Sequence, residues 1–349
     1  MDKILPAYND PLFSIFIIVM MILVVAIASN ILGSYREDRQ KKHLKNFLGT
    51  LNPNEGSLNI NQIPFEKNLI NPLSMLADTL TSQGEYQKAI SIYLYLIKNI
   101  SNFSKKEYLL ESLGRAYLKA GFLKHSESIF LEILRKHPRN QTALYSIGVV
   151  YELLNDYPKA MQTLKPLEIM GAKLEKLRAH IKLSSLIRQK DISKEKRVKL
   201  LIEYLNSDKY AYRPIMQELF RLDSTEAWRH LREDRIYELL DLLWFLPTSN
   251  LNFDIIAQNP KLKSIYSARG VLPLTNEEYQ SGLFSIDTLI AARRGGSKEV
   301  DLSFSYGCNH CKQQFPISFV RCPNCYAINS IYIKESIVKK QSQTGYSLL

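Results

Sequence analysis

The sequence predicts an all-α chain in three parts: an N-terminal transmembrane helix, a solenoid of helical hairpins, and a small C-terminal β module built around cysteine. Three observations predict it. Residues 12–32 form an uncharged apolar run, the stretch from residue 73 repeats with a period near 34 residues, and the four cysteines of the 349-residue chain all lie between positions 308 and 325. A composition 46% hydrophobic and 23% charged, with only 14 Gly and 14 Pro, belongs to a folded protein and excludes collagen-like and disordered classes.

The first element is the run LFSIFIIVMMILVVAIASNIL, 21 residues from Leu12 to Leu32. At about 1.5 Å per residue it is long enough to cross a hydrocarbon layer of roughly 30 Å. A cleaved export signal is the competing reading, because Ala26-Ile27-Ala28 has the small-x-small form of a cleavage site. Flanking charge favours a retained anchor: one Lys and two Asp precede the run, whereas Arg36, Arg39, Lys41, Lys42 and Lys45 follow it. Basic flanks stay in the cytoplasm, so the N-terminus is expected outside and everything after residue 33 inside. The same flank is expected to attract anionic lipid headgroups.

Residues 33–72 read as a linker, since Asn, Pro and Gly break any helical period. The segment 73–170 then carries three copies of one pattern. The first has Leu76, Ala77, Leu80, Gly84, Tyr86, Ala89 and Tyr93; the second has Leu113, Gly114, Tyr117, Gly121, Leu123, Ser126, Phe130 and Pro138; the third has Ile147, Gly148, Tyr151, Asn155, Tyr157, Ala160 and Leu164. Offsets of 37 and 34 residues separate the small residues Ala77, Gly114 and Gly148. This is the tetratricopeptide pattern, in which a small residue lets two helices approach and large apolar residues fill the gap. Each hairpin buries its apolar face only by stacking on the next, and the array is expected to bind proteins in its groove and to carry no catalysis.

Residues 171–296 keep helical periodicity but lose the signature, and read as degenerate helical repeats ending at Gly295-Gly296. Two helices are expected around a break at Asp191 to Ser193. Both tryptophans, Trp228 and Trp244, fall on an apolar helical face and are expected in the core. Much of the net charge of +12 collects between Lys173 and Lys199, where ten basic residues face three acidic ones. A solvated helix face accounts for such a run; an acidic protein or lipid headgroups are the alternatives. No nucleic-acid motif accompanies it, so nucleic acid is not expected as a partner.

The module at 301–335 holds Cys308, Cys311, Cys322 and Cys325 as two C-x2-C pairs separated by ten residues. Each pair makes a tight turn that aims two sulfurs at one point, and two turns complete a tetrahedron of a zinc-ribbon-like kind. Four thiolates leave no open coordination position, so the expected cofactor is one structural metal ion, with zinc favoured and iron still open. Disulfides would be expected instead if residues 33–349 faced an oxidising compartment. His310 lies inside the first turn and is expected to face solvent. No Gly-rich phosphate loop, Gly-x-Ser-x-Gly or His-Glu-x-x-His is present, so no catalytic or cofactor-binding residues are assigned and no enzyme is expected.

Anchor, repeat array and a terminal SYGCNHCK…RCPNCYAINSI module together resemble the lipopolysaccharide assembly protein B family. The sequence likeness is close only in the metal segment: an aromatic before the first cysteine, the ten-residue gap, Cys-Pro-x-Cys and a following Ser-Ile. The resemblance implies a rubredoxin-type metal domain packed on the repeats and a single-pass protein of the bacterial inner membrane with its bulk in the cytoplasm. It also implies an adaptor that brings the lipid A pathway deacetylase to a membrane-anchored ATP-dependent metalloprotease and so regulates lipopolysaccharide synthesis. Only Cys308, Cys311, Cys322 and Cys325 carry over as functional positions. A scaffold for another cell-envelope or secretion complex stays open as the alternative.

Overall fold

The computed structural model describes residues 20–21, 24, 65–207, 211–274 and 281–340. Most of the expected membrane helix at 12–32 and of the linker therefore lies outside the described residues; Met20, Met21 and Val24 are helical and exposed. Among the described residues no helix is long and apolar enough to cross a membrane. The chain divides into two compact units, one up to Ser146 and one from Ile147 onward.

The first unit is built from hairpins. Helices α1 (Ile70–Gln83) and α2 (Tyr86–Asn99) form one, and α3 (Phe103–Lys119) and α4 (Leu123–Lys136) the next, with α2 also packed on α3. Their core is the apolar set that the repeat pattern marks, with Ala77, Ala89, Tyr93, Leu113 and Ala116 essentially buried. At Gly114 the backbone leaves room for a ring: an added Cβ would lie 2.7 Å from the buried side chain of Phe130 on α4. Ser126, standing where alanine is usual, is fully buried, and its hydroxyl donates to the Gly114 carbonyl at 2.8 Å. That bond ties the two helices of the hairpin while satisfying a buried polar group.

The linker expectation is corrected at its end. Helix α1 starts at Ile70, and Leu69 is already buried, so the fold begins before residue 73. Pro72, read as a breaker, sits in the first turn, where the missing N–H has no helical acceptor to lose. The turn between α1 and α2 uses Gly84 at φ 87°. In the third repeat the same left-handed position is held by Asn155 at φ 59°, a conformation that Asn tolerates better than most side chains.

Helix α5 (Gln141–Leu153) contains the division between the units, and α6 (Tyr157–Ile169) follows it. The second unit continues with α7 (Glu175–Arg188) and α8 (Lys194–Ser207) around the expected break, then α9 (Tyr212–Leu222) and α10 (Ser224–Arg229). The stretch that carries Trp244 is a 3-10 stretch over Glu233–Leu239 followed by α11 (Leu240–Phe245). Helix α12 (Phe253–Gln258) packs on α13 (Pro260–Arg269), which pairs with α14 (Phe284–Arg294). Trp228 and Trp244 are both core residues: their indole N–H groups donate to the Asn250 carbonyl at 2.8 Å and to Asp301 Oδ1 at 3.1 Å. Eight of the ten basic residues between Lys173 and Lys199 are exposed, whereas Arg178 pairs with Glu168 and Arg197 donates to the Gln189 carbonyl. The charge run is thus largely solvent-facing.

Three antiparallel strands close the described chain: β1 (Val300–Cys308), β2 (Gln314–Phe315) and β3 (Ile331–Lys339), in the order β2-β1-β3. The module is longer than 301–335, because β3 pairs with β1 along its whole length, from Ile331 opposite Cys308 to Lys339 opposite Val300. Leu302 enters the helical core, and Phe304 packs edge-on to Trp244 and Phe245.

Candidate metal centre

Each C-x2-C pair is a backbone turn before it is a ligand pair. In the first turn the Cys308 amide donates to the Gln313 carbonyl at 3.0 Å and the Lys312 amide to the Cys308 carbonyl at 2.8 Å. The second turn repeats this at the same spacing, Cys322 to Ala327 at 2.9 Å and Tyr326 to Cys322 at 3.0 Å. Lys312 and Tyr326, each directly after the second cysteine of its turn, hold φ of 61° and 58°. Left-handed backbone at these two positions swings the chain away and leaves both sulfurs on one side.

The four side chains converge. Their Sγ atoms all lie within 4.8 Å of one another, with Cys308 to Cys325 and Cys311 to Cys322 at 3.7 Å, and no disulfide joins them. A tetrahedron with metal–sulfur bonds of about 2.3 Å has edges of about 3.8 Å, so the donor set fits one metal ion. Cys308 and Cys322 are fully buried; Cys311 and Cys325 are half-buried, and His310 points to solvent as expected. Burial pushes the Cys322 thiol up to about 12 and the Cys325 thiol upward as well. At Cys308 burial acts the same way but is outweighed by Ser330, whose Oγ lies 3.2 Å from the sulfur, and by the amides of Cys311 and His310, which bring that thiol down to about 6. The Cys308 thiol is therefore ready to ionise, and a cation is needed to hold Cys322 and Cys325 as thiolates.

The spacing marks the four cysteines that the fold brings together, but carries no sign of what fixes the module to the helices of the same unit. Arg321, the residue before Cys322, is bidentate on Glu152 of α5 through Nε at 3.1 Å and Nη2 at 2.5 Å, and its Nη1 donates to the Tyr326 carbonyl. His180 of α7 meets the same carboxylate at 2.7 Å. All three are buried or nearly so, at 7%, 10% and 4% exposed. Burial disfavours the charged carboxyl, but hydrogen bonds from His180 and Arg321 and the Arg321 charge hold Glu152 down at about 2. A second network centres on Asp241 of α11, which takes two bonds from Arg213 of α9, at 2.8 and 2.6 Å, and one from the Tyr306 hydroxyl of β1 at 2.9 Å. Arg213 also reaches Ser318 Oγ at 3.2 Å. Burial, reinforced by Asp241, pushes the Tyr306 phenol upward, so it stays a donor. Isolated polar residues in helical stretches carry no pattern that pairs them across 28 to 169 residues, which is why these partners were not legible.

Comparison with known proteins bears on the repeats. The tetratricopeptide repeat family matches residues 73–98, which cover α1 after its first turn and nearly all of α2. Among curated proteins none matches the chain. The chain therefore contains a tetratricopeptide repeat within a helical array, and it ends in a four-cysteine cluster able to hold a metal ion. Such repeats are protein-interaction scaffolds.

Proposed function

We propose that this protein is a non-enzymatic, membrane-tethered adaptor whose repeats hold a client protein and whose terminal module, with zinc bound by Cys308, Cys311, Cys322 and Cys325, fixes the last helices of the array. The observation that carries it is the repeat match at residues 73–98 together with a closed S4 donor set that offers no open coordination position. Bound zinc supplies folding free energy and no reaction. Arg321 and Tyr306 then transmit the module's position to α5, α7, α9 and α11 through the Glu152 and Asp241 networks.

Resemblance to the lipopolysaccharide assembly protein B family supports a narrower reading. The client is then the lipid A pathway deacetylase, the destination a membrane-anchored ATP-dependent metalloprotease, and the anchor the apolar run at 12–32. Depletion of the protein in its host is expected to raise both the deacetylase and lipopolysaccharide. Unchanged deacetylase on depletion would rule out this client and leave the scaffold reading to be pursued by detergent-extract capture.

A further inference from the structure

Helices α6, α7 and α8 border an open cavity of about 340 Å³. Tyr157 and Met161 of α6, Ile181 and Leu186 of α7, and Leu200 and Tyr204 of α8 line it and make its floor mostly apolar. Among the described residues, Lys182 is the one charged residue in the lining, and no carboxylate belongs to it.

Further cations stand around this floor. On each helix a basic residue lies four positions from a lining residue, and so on the same face: Lys165 from Met161, Lys182 from Leu186 and Lys196 from Leu200. Burial pushes the Tyr157 phenol upward, and the Arg188 guanidinium is near enough to oppose that shift. All four cations are exposed, and among the described residues none of them makes an ion pair. Glu168 of α6 is already held by Arg178, and the exposed acids of α8, Glu195 and Glu203, line no part of the cavity. Like charges gathered on one face repel one another, a cost that carboxylates from outside the chain would relieve.

The six apolar and aromatic lining residues are all helical, so their main-chain groups are spent within the helices and leave no edge for an added strand. Recognition falls to side chains. An apolar hollow with a cation one turn away on each of three helices matches a partner helix with an apolar stripe and carboxylates a turn to either side. We propose that α6, α7 and α8 dock an acidic amphipathic helix of a partner protein, its apolar side chains in the cavity and its carboxylates on Lys165, Lys182, Arg188 and Lys196. This face lies outside the matched repeat at 73–98 and uses no metal, so it stands whether or not the adaptor reading does.

The test uses the full-length chain and a fluorescein-labelled amphipathic peptide of three Leu-Glu-Glu-Leu-Ala-Glu-Gln heptads. Saturable micromolar binding is expected, weakened at least tenfold when the peptide's Glu residues are replaced by Lys or its Leu residues by Gln. Lys182→Glu combined with Lys196→Glu reverses two exposed charges beside the cavity and is expected to weaken binding by a similar factor. Lys173→Glu combined with Lys194→Glu makes the same change in net charge at residues that do not line the cavity, and is expected to bind within twofold of the parent. Circular dichroism and metal content report that each variant is folded. Absence of saturation up to millimolar peptide, or equal weakening by the two charge reversals, overturns the proposal. Phosphatidylglycerol vesicles that hold the parent but not the Lys182→Glu, Lys196→Glu variant, with no saturable peptide binding, would make this face a membrane surface and overturn it as well.

Discussion

Glu152 serves Arg321 and His180 with one carboxylate, and the consequence is measurable. Replacing it with Gln leaves Arg321 buried without its counter-charge, which costs about 3–5 kcal/mol at neutral pH. The sign of the pH dependence follows from the direction of the shift. A carboxyl held at about 2 in the fold and near 4.3 in the unfolded chain contributes its full stabilisation above pH ~5, and loses it as the pH falls toward 2. Denaturant unfolding of the parent and Glu152→Gln should therefore differ most at pH 7, and the difference should close only as the pH falls through about 2. The cysteines give a second prediction at this scale: Cys308→Ser or Cys322→Ser removes a fully buried ligand. Metal content measured on the purified protein should fall from one ion per chain to well below that. His310→Ala, changing an exposed side chain in the same turn, should leave the content unchanged.

Hairpins are the elements on which the helical part depends, and their closest approach is set at Gly114. Alanine there would bring a methyl to 2.7 Å from Phe130, a ring buried on every side, so overpacking should destabilise the chain by about 1–3 kcal/mol. Thermal unfolding followed by circular dichroism checks it. Elements were legible in the sequence wherever a local rule decides the backbone. Ala77, Gly114 and Gly148 mark the helix crossings, and the break near Asp191 falls where α7 and α8 separate. The sequence pattern failed where a rule has two readings. Pro72 signals both a helix breaker and a first-turn residue, and only the burial of Leu69 before it decides for the second. Ile236, Leu239, Leu240 and Leu243 keep an apolar face through a stretch that begins as 3-10 and ends as α, because burial constrains side chains more than it constrains helical pitch. The cysteine turns were readable from spacing alone. Arg321 and Tyr306 were not, since their partners Glu152 and Asp241 are distant in sequence and ordinary in their own helices.

On the scale of the whole molecule, the module and the helices after Ile147 belong to one compact unit. Leu302 lies in the same apolar cluster as Trp228 and Tyr266, and the module adds Arg321, Tyr306 and Asp301 as polar anchors. Removing metal with a chelator should accordingly loosen more than the ribbon. Hydrogen–deuterium exchange is expected to rise in the cysteine turns and around Glu152, α9 and α11, while α1–α4 keep their protection. Uniform protection outside the turns would show instead that the module rests on the helices without holding them. The pairing of Arg321 with Glu152 also spans 169 residues. At ribosomal speeds of about 5–20 residues per second, the carboxylate is made roughly 10–30 s before the guanidinium that will neutralise it. During that interval the nascent helices around α5 must wait with an acidic group where the finished protein has a buried ion pair. Newly made chains are therefore expected to depend on holding chaperones until the last strand and its metal arrive.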